Sequence, residues 1–320
     1  GIKVGVISDS YNSIPGDPAQ TDVINGDLPG PGNPVNSTAV KVLKEFPFGR
    51  RSDEGRAMLQ IVHDVAPKAT LDFRTGFISA GDFAKGIIEL QEDNCDIIVD
   101  DVTFITESFF QDGVVAKAVD SVKGKGVSYF TSAGNFGSQS YESTFVGAAP
   151  PAGVTGTAHN FGGGDIYQKI TLTPGTYTAV LQWEDANYSL GQTATGTVND
   201  VDIFLTEENG NVLFGFNRDN RGGDPFEVLP FTVTENTQTN IIIVRRNGTA
   251  NFKFKYVFFR GNNIVSEYNT GNSTIVGQAN AAGAMSVGAV LYSNTPAYGV
   301  SIPTVASFSS RGGTTVINNV

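Results

Sequence analysis

Residues 2–8 read IKVGVIS, a nearly continuous apolar run. A strand solvated on one face alternates apolar with polar residues, whereas a strand covered on both faces reads like this one. What lies next to it decides what covers it. A loop rich in Gly, Pro and Asn spans 14–37, and STAVKVLKEF (37–46) holds an apolar stretch that suits either a strand or a helix. From about 53 to 63, EGRAMLQIVHD suits a helix with Ser52 or Asp53 as N-cap. TLDFRTG (70–76) reads as a strand, SAGDFAKGIIELQED (79–93) as a helix capped by Ser79, and CDIIVDDV (95–102) as a second buried strand. FQDGVVAKAVDSVKGKG (110–126) reads as a helix closed by Gly124 and Gly126, and VSYFTSAGN (127–135) as a strand ending on a glycine turn. Apolar strands alternating with helices predict an α/β fold, a doubly wound parallel sheet with helices on both faces.

Between about 140 and 270 the helical periodicity stops. Short strand-like runs take over: DIYQKITL, GTYTAVLQWE, DVDIFLTE, NVLFGFN, EVLPFTV, TNIIIVRR and FKFKYVFF, separated by turns such as TPGT, ENGN and RNGT. Runs at this spacing predict an antiparallel, jelly-roll-like β-sandwich. Alternation in NFKFKYVFF places Phe252, Phe254 and Tyr256 on one face. Trp183 and Phe226 read as core or staple residues rather than a sugar platform. Asp200 and Asp202 form an Asp-x-Asp pair that could bind calcium with turn oxygens; the plainer reading is a strand end with solvated carboxylates. After 273 the first character returns in STIVGQANAAGAMSVGAV and VASFSSRGG. The expected organisation is an α/β domain of 1–140 plus 273–320, interrupted by a sandwich of 141–272.

The composition, 40% hydrophobic and 17% charged, belongs to a folded chain, and 320 residues suffice for one large or two medium domains. No apolar run approaches ~20 residues, so no membrane-spanning helix is expected. The net charge of −11 offers no phosphate-binding face and argues against nucleic acid as a partner. Turn-rich composition points to an extracellular bacterial protein, secreted or on the cell surface. Cys95, the single cysteine, has no internal disulfide partner and reads as a small buried hydrophobe rather than a nucleophile. The chain opens directly on a strand and stops at TTVINNV without a closing element, so both ends are expected to be cut.

In an open parallel sheet, ligands bind beyond the carboxyl ends of the strands. Ser8, Asp9 and Ser10 follow the first strand, Asp100, Asp101 and Thr103 end another, and Ser132-Ala133-Gly134-Asn135 follow a third. Glu54 stands at a helix N-terminus. A single Asp in such a place is ordinarily a cap or a solvated turn. Several acidic residues and one Asn converging from distant segments point instead to a site.

The ordered series VGVISDS, DEGRAMLQIVHDVAPKA, DIIVDDVTF, SYFTSAGN, MSVGAV and SFSSRGG resembles the subtilisin-like serine peptidases over roughly 1–140 and 273–320. The resemblance implies an acyl-enzyme endopeptidase acting on a protein or peptide substrate, expected to be monomeric and to need no cofactor. It assigns Asn135 to the oxyanion hole, an interaction worth roughly 3–4 kcal/mol in such sites. It makes Asp9 the match for the triad aspartate, one residue late, with Ser8 in the family position. Asp101 stands where the family has a cleft-lining serine. Glu54 stands where the family has its histidine. His63 lies nine residues on, at about 100° per residue close to the opposite helix face, and His159 has no ligand-like neighbours, so no Ser-His-Asp triad can be built. A carboxylate serves as general base when burial or a second carboxylate raises its pKa. The sedolisin-type peptidases do this, but their second helical carboxylate falls on Met58 here, and they carry Asp where this chain has Asn135. No Gly-Thr-Ser occurs, and GGTT (312–315) follows FSSRGG too closely, so the nucleophilic serine is expected beyond residue 320. The insert resembles β-sandwich modules of secreted bacterial peptidases. Two rivals remain: an inactive pseudo-peptidase that binds or sits at the cell surface, and a carbohydrate-binding sandwich.

Overall fold

The computed structural model describes the chain except for Ser138, Thr249, Ala250, Asn262, Ser266 and residues 269–272 and 318–320. The chain divides into two compact units. The first comprises Gly1–Glu107, Asp112–Ala133 and Gly277–Val287; the second comprises Ser108–Gln111, Gly134–Val276 and Gly288–Val320. Sequence character changes at 140 and at 272–273, the latter edge touching undescribed residues, whereas the compact units part at Ala133/Gly134 and Val276/Gly277.

In the first unit the order is β1 (Lys3–Ser8), α1 (Pro18–Asn25), β2 (Lys41–Lys44), α2 (Glu54–Val65), β3 (Thr70–Thr75), α3 (Ala80–Glu92), β4 (Ile97–Asp100), α4 (Val114–Gly124) and β5 (Ser128–Ser132). Two corrections concern helices. The loop expected over 14–37 contains α1, started by Asp17, whose side chain accepts from the Gln20 amide, with Pro18 at the first helical position. Gly26, at φ 93°, ends it. The helix expected from 110 begins at Val114, behind Gly113. Ser79 caps α3 as expected, accepting from the Asp82 amide.

In the second unit, β6 (Ser140–Thr144), β7 (Gly147–Ala148) and β8 (Thr157–His159) precede β9 (Gln168–Leu172), β10 (Gly175–Trp183), β11 (Asp200–Thr206), β12 (Val212–Phe216), β13 (Phe226–Val233), β14 (Thr237–Asn247), β15 (Lys253–Arg260) and β16 (Asn263–Val265). One antiparallel sheet runs β13-β10-β15-β6; the other runs β12-β11-β14-β8-β7, with β9 between β14 and β16. Trp183, Val201, Ile203, Leu205, Ile241, Ile243, Phe252, Phe254, Tyr256 and Phe258 from both sheets share one core. Each large side chain fully buried there contributes about 1.5–3 kcal/mol. His159 lies inside this core, 3.1 Å from the Tyr141 hydroxyl, and burial lowers its pKa to about 4.

The last strand, β17 (Ala284–Val287), returns to the first unit and pairs with β5. The parallel order is then β17-β5-β4-β1-β3-β2. One face is covered by α3 and α4, through Phe83, Ile87, Leu90, Val115 and Val119 packed on Ile7 and Ile98. The other is covered by α1 and α2, through Val23 and Leu59 packed on Val4, Val6, Leu71 and Phe73. The fold is thus mixed α/β: a parallel sheet wound on both faces, together with antiparallel sheets in the second unit. After β1 the chain builds β2 and β3 on one side and then passes to β4 on the other. That puts the topological switch point between β1 and β4, where open α/β sheets place their ligands. Among the described residues, no helix is long and apolar enough to cross a membrane.

Candidate active site

The parallel register sets Ile7 opposite Asp100. The next residue along each strand therefore brings Ser8 to Asp101 at the switch point. The Ser8 hydroxyl donates to Asp101 Oδ2 at 3.2 Å, and Ser8 is fully buried. Asp101 Oδ1 has no hydrogen-bond partner. Burial, and then the Glu54 charge, pushes the Asp101 carboxyl up to about 7, against the lowering effect of Ser8.

Asp100, one residue earlier, points the other way into the sheet. Its Oδ1 accepts from the Val102 amide at 3.0 Å, Thr131 Oγ1 at 3.1 Å and Gln278 Nε2 at 3.1 Å. It ties the ends of β4 and β5 to the short helical turn that holds Gln278, and burial raises it to about 6. Neighbouring carboxylates thus separate by strand alternation into a structural one and one that the Glu54 charge helps raise.

Glu54 opens α2. Its side chain is exposed, and beside it Asp22, Ser52, Asp53, Arg56, Ala57 and Gln60 complete the lining of an open cavity of about 450 Å³. The helix start is held from outside. Asp9 Oδ1 accepts from the Glu54 amide at 3.0 Å and from the Ser10 hydroxyl at 3.2 Å. Asp9 Oδ2 accepts from the Ser52 amide at 2.8 Å and from its hydroxyl. Asp53 occupies the N-cap position with φ 56° and makes no capping bond with its own side chain. Its carboxylate faces back instead, accepting from Ser10, from the Ser13 amide and hydroxyl, and from the Ile14 amide. Burial works to raise Asp53, but the bonds from Ser13 and Ser10 outweigh it and leave it below the ordinary carboxylate range.

Gly55 explains how closely the helix can approach. A Cβ there would stand 2.3 Å from the Phe73 ring and 2.8 Å from the Ser10 carbonyl oxygen. Gly55, Leu59 and His63 form the buried stripe of α2. His63 is buried, 3.2 Å from Asn33 Nδ2, and lies on the face away from exposed Glu54.

In the second unit, Asn135 sits in the turn after Gly134 (φ 89°) and is exposed, without a side-chain hydrogen bond among the described residues. The FSS segment holds that turn: Ser310 Oγ accepts from the Phe136 amide at 3.1 Å, and the Ser310 amide donates to the Gly134 carbonyl at 2.8 Å. Asp200 and Asp202 are both buried on β11, not solvated at a strand end.

The structure brings Ser8, Asp101 and Glu54 into one electrostatic group. It assigns Asp9 to the helix start, with both oxygens occupied, so Asp9 is not bonded to the Glu54 side chain. Sequence reasoning missed the roles of Asp53 and of the Ser8–Asp101 contact. The repeated Ser/Asp pattern in SDS (8–10) and SD (52–53) was the available signal, because such side chains bond to backbone amides near helix starts.

No family model matches the chain, and no curated protein matches it. Among solved structures, the CspB protease of Clostridium perfringens is similar in fold, with 10% identity over 98% of this chain and 72% of that one, at a TM-score of 0.51. The prenylagaramide maturation protease PagA aligns at 17% identity over 42% of this chain and 46% of its own, with a TM-score of 0.31.

Proposed function

We propose that the chain carries the proton-transfer groups of a subtilisin-like serine endopeptidase in which Glu54 replaces the histidine base. The observation that carries this is the Glu54–Asp101–Ser8 group at the switch point. A carboxylate at a helix N-terminus there shares its field with a second carboxyl that titrates near 7. Carboxyls tuned into that range exchange protons at ordinary pH. The fold likeness to the CspB protease supports the reading.

In this reading a serine from outside residues 1–320 attacks the scissile carbonyl, and Glu54 accepts the hydroxyl proton. The C–N bond then breaks as Glu54 returns the proton to the leaving amine. Water repeats the sequence to hydrolyse the acyl-enzyme. Asp101 is the coupled carboxyl, Asn135 the oxyanion donor, and Asp9 a positioning residue that fixes the first turn of α2.

One observation favours a second reading, a pseudo-peptidase. Both Asp9 oxygens are consumed by donors at Ser10, Ser52 and Glu54, so no side-chain relay runs from Asp9 to Glu54. A fluorophosphonate probe on a form extended beyond Val320, at acidic and neutral pH, separates the two. Labelling of a downstream serine, lost in Glu54→Gln and weakened in Asp101→Asn, is the result expected of the peptidase. A folded protein that never labels would establish the pseudo-peptidase.

A further inference from the structure

Arg51 stands three residues before Glu54, and its amide donates to Ser13 Oγ at 2.8 Å. The next residue, Ser52, is held in turn by Asp9. Three residues span at most about 11 Å, so Arg51 stays within that reach of the start of α2. Its guanidinium lies over two rings, with Cζ 4.2 Å from the Phe46 centroid and 5.6 Å from the Phe77 centroid. Phe46 follows β2 and Phe77 follows β3, so the arginine bridges two loops at the carboxyl edge of the parallel sheet. Phe77 is tied back to the end of β1. Its amide donates to Thr75 Oγ1 at 3.3 Å, and that hydroxyl donates to the Asp9 carbonyl at 2.7 Å.

With 32 acidic residues against 21 basic ones, the chain has ample carboxylates for its arginines. Arg56 pairs with Asp22 at 3.1 Å and Asp53 at 3.2 Å, and Arg74 pairs with Asp82 and Glu89. Among the described residues, neither Arg50 nor Arg51 has a carboxylate partner. Glu45, next to Phe46, is occupied by the amides of Tyr11, Asn12 and Phe46. Stacking on a ring uses the face of a guanidinium and leaves its in-plane N–H fork for a carboxylate. Phe77 is 42% exposed, and Phe48, packed on Phe46 with centroids 5.6 Å apart, is 74% exposed. This apolar surface beside the guanidinium limits water around an ion pair formed there. Glu54 and Asp101 act the other way, since their charges repel an anion that comes to the switch point itself.

We propose that Arg51, backed by Arg50, selects peptide substrates that carry an aspartate or glutamate close to the scissile bond but not adjacent to it, held by a bidentate carboxylate–guanidinium pair. The inference rests on the peptidase reading above for where the scissile bond lies. An extended peptide advances about 3.3 Å per residue, so about three residues cover the span from Glu54 to Arg51. An acidic residue at the scissile bond would meet Glu54 and Asp101 and be rejected.

The test reads binding rather than turnover. The form extended beyond Val320, carrying Glu54→Gln, is titrated by fluorescence anisotropy with short dye-labelled peptides of Ala and Phe. The peptides differ only in a single Glu, Gln or Lys moved along the chain. At the favoured position Glu should bind about five- to tenfold more tightly than Gln, and added salt should shrink the difference. Arg51→Gln should abolish the preference while the Gln peptide binds as before, and Arg51→Glu should turn the preference toward Lys. A merely structural arginine would instead weaken all three peptides alike. The proposal is overturned if Glu and Gln bind equally at every position, if no peptide binds, or if folded Arg51→Gln keeps the preference. Failure of the peptidase reading looks different. An Arg51-dependent preference in a protein whose downstream serine never labels would leave the acidic-peptide site standing on a pseudo-peptidase.

Discussion

In the α/β unit, Asp9 and Asp53 reach buried positions where donors surround them; in the sandwich, Asp202 is just as buried and neither of its oxygens has a hydrogen-bond partner. The difference follows from the elements around them. A helix start leaves amides without intrahelical partners, and Asp9 takes two of the amides around the start of α2. Strands spend their amides on each other, so a carboxylate at a sandwich edge finds fewer free. Donors therefore hold Asp53 below the ordinary carboxylate range, whereas burial pushes Asp202 up to about 7. Asp101 stands between these cases, with one hydroxyl bond and one bare oxygen.

Several variants would break or sharpen this contrast. The largest effect is expected from Gly55→Val, whose side chain would enter the Phe73 ring and push α2 off the carboxylates that hold it. A loss of about 3 kcal/mol or more in urea unfolding is expected. Asp9→Ala strands the Ser52 and Glu54 amides and should cost about 2–3 kcal/mol by the same measurement, with Asp9→Asn costing less.

Asp101 should behave with the opposite sign. Its folded pKa, about 7, lies above the ordinary 3.8, so the folded state binds the proton more tightly. Its contribution to stability is present below pH about 4, declines as pH rises through about 7, and is absent above. Asp101→Asn should remove that decline and gain about 1–2 kcal/mol on the alkaline side, seen as a flatter Tm-versus-pH curve. Asp202→Asn should be neutral or stabilising by about 1 kcal/mol, where Asp9→Ala is costly. A comparable loss in both would erase the distinction between the two units. Smallest of all, Glu54→Gln should change stability by about 0.5 kcal/mol, through its place at the helix N-terminus. Its informative readout is a lower Asp101 pKa by carboxyl NMR, since the Glu54 charge helps raise it.

The sequence by itself determined the class of each half. Apolar runs alternating with helical periods specify a sheet covered on both faces, and period-two runs such as NFKFKYVFF specify a sandwich face; both patterns are local and survive any detail of packing. The acidic character of the strand ends was legible for the same reason. The helix hidden at Pro18–Asn25 was masked by glycine and proline on either side, although Asp17-Pro18 is itself a start signal. What each carboxylate does was decided only in three dimensions. Register sets Ile7 against Asp100 and so gives Ser8 to Asp101, and the close approach allowed by Gly55 gives Asp9 to the α2 amides. Where the β12 pairing stops, the β11 edge at Asp202 has no neighbouring strand on that side, and neither Asp202 oxygen has a hydrogen-bond partner. Partner choice depends on which side chains face one another across tens of residues of chain, and no local pattern encodes that.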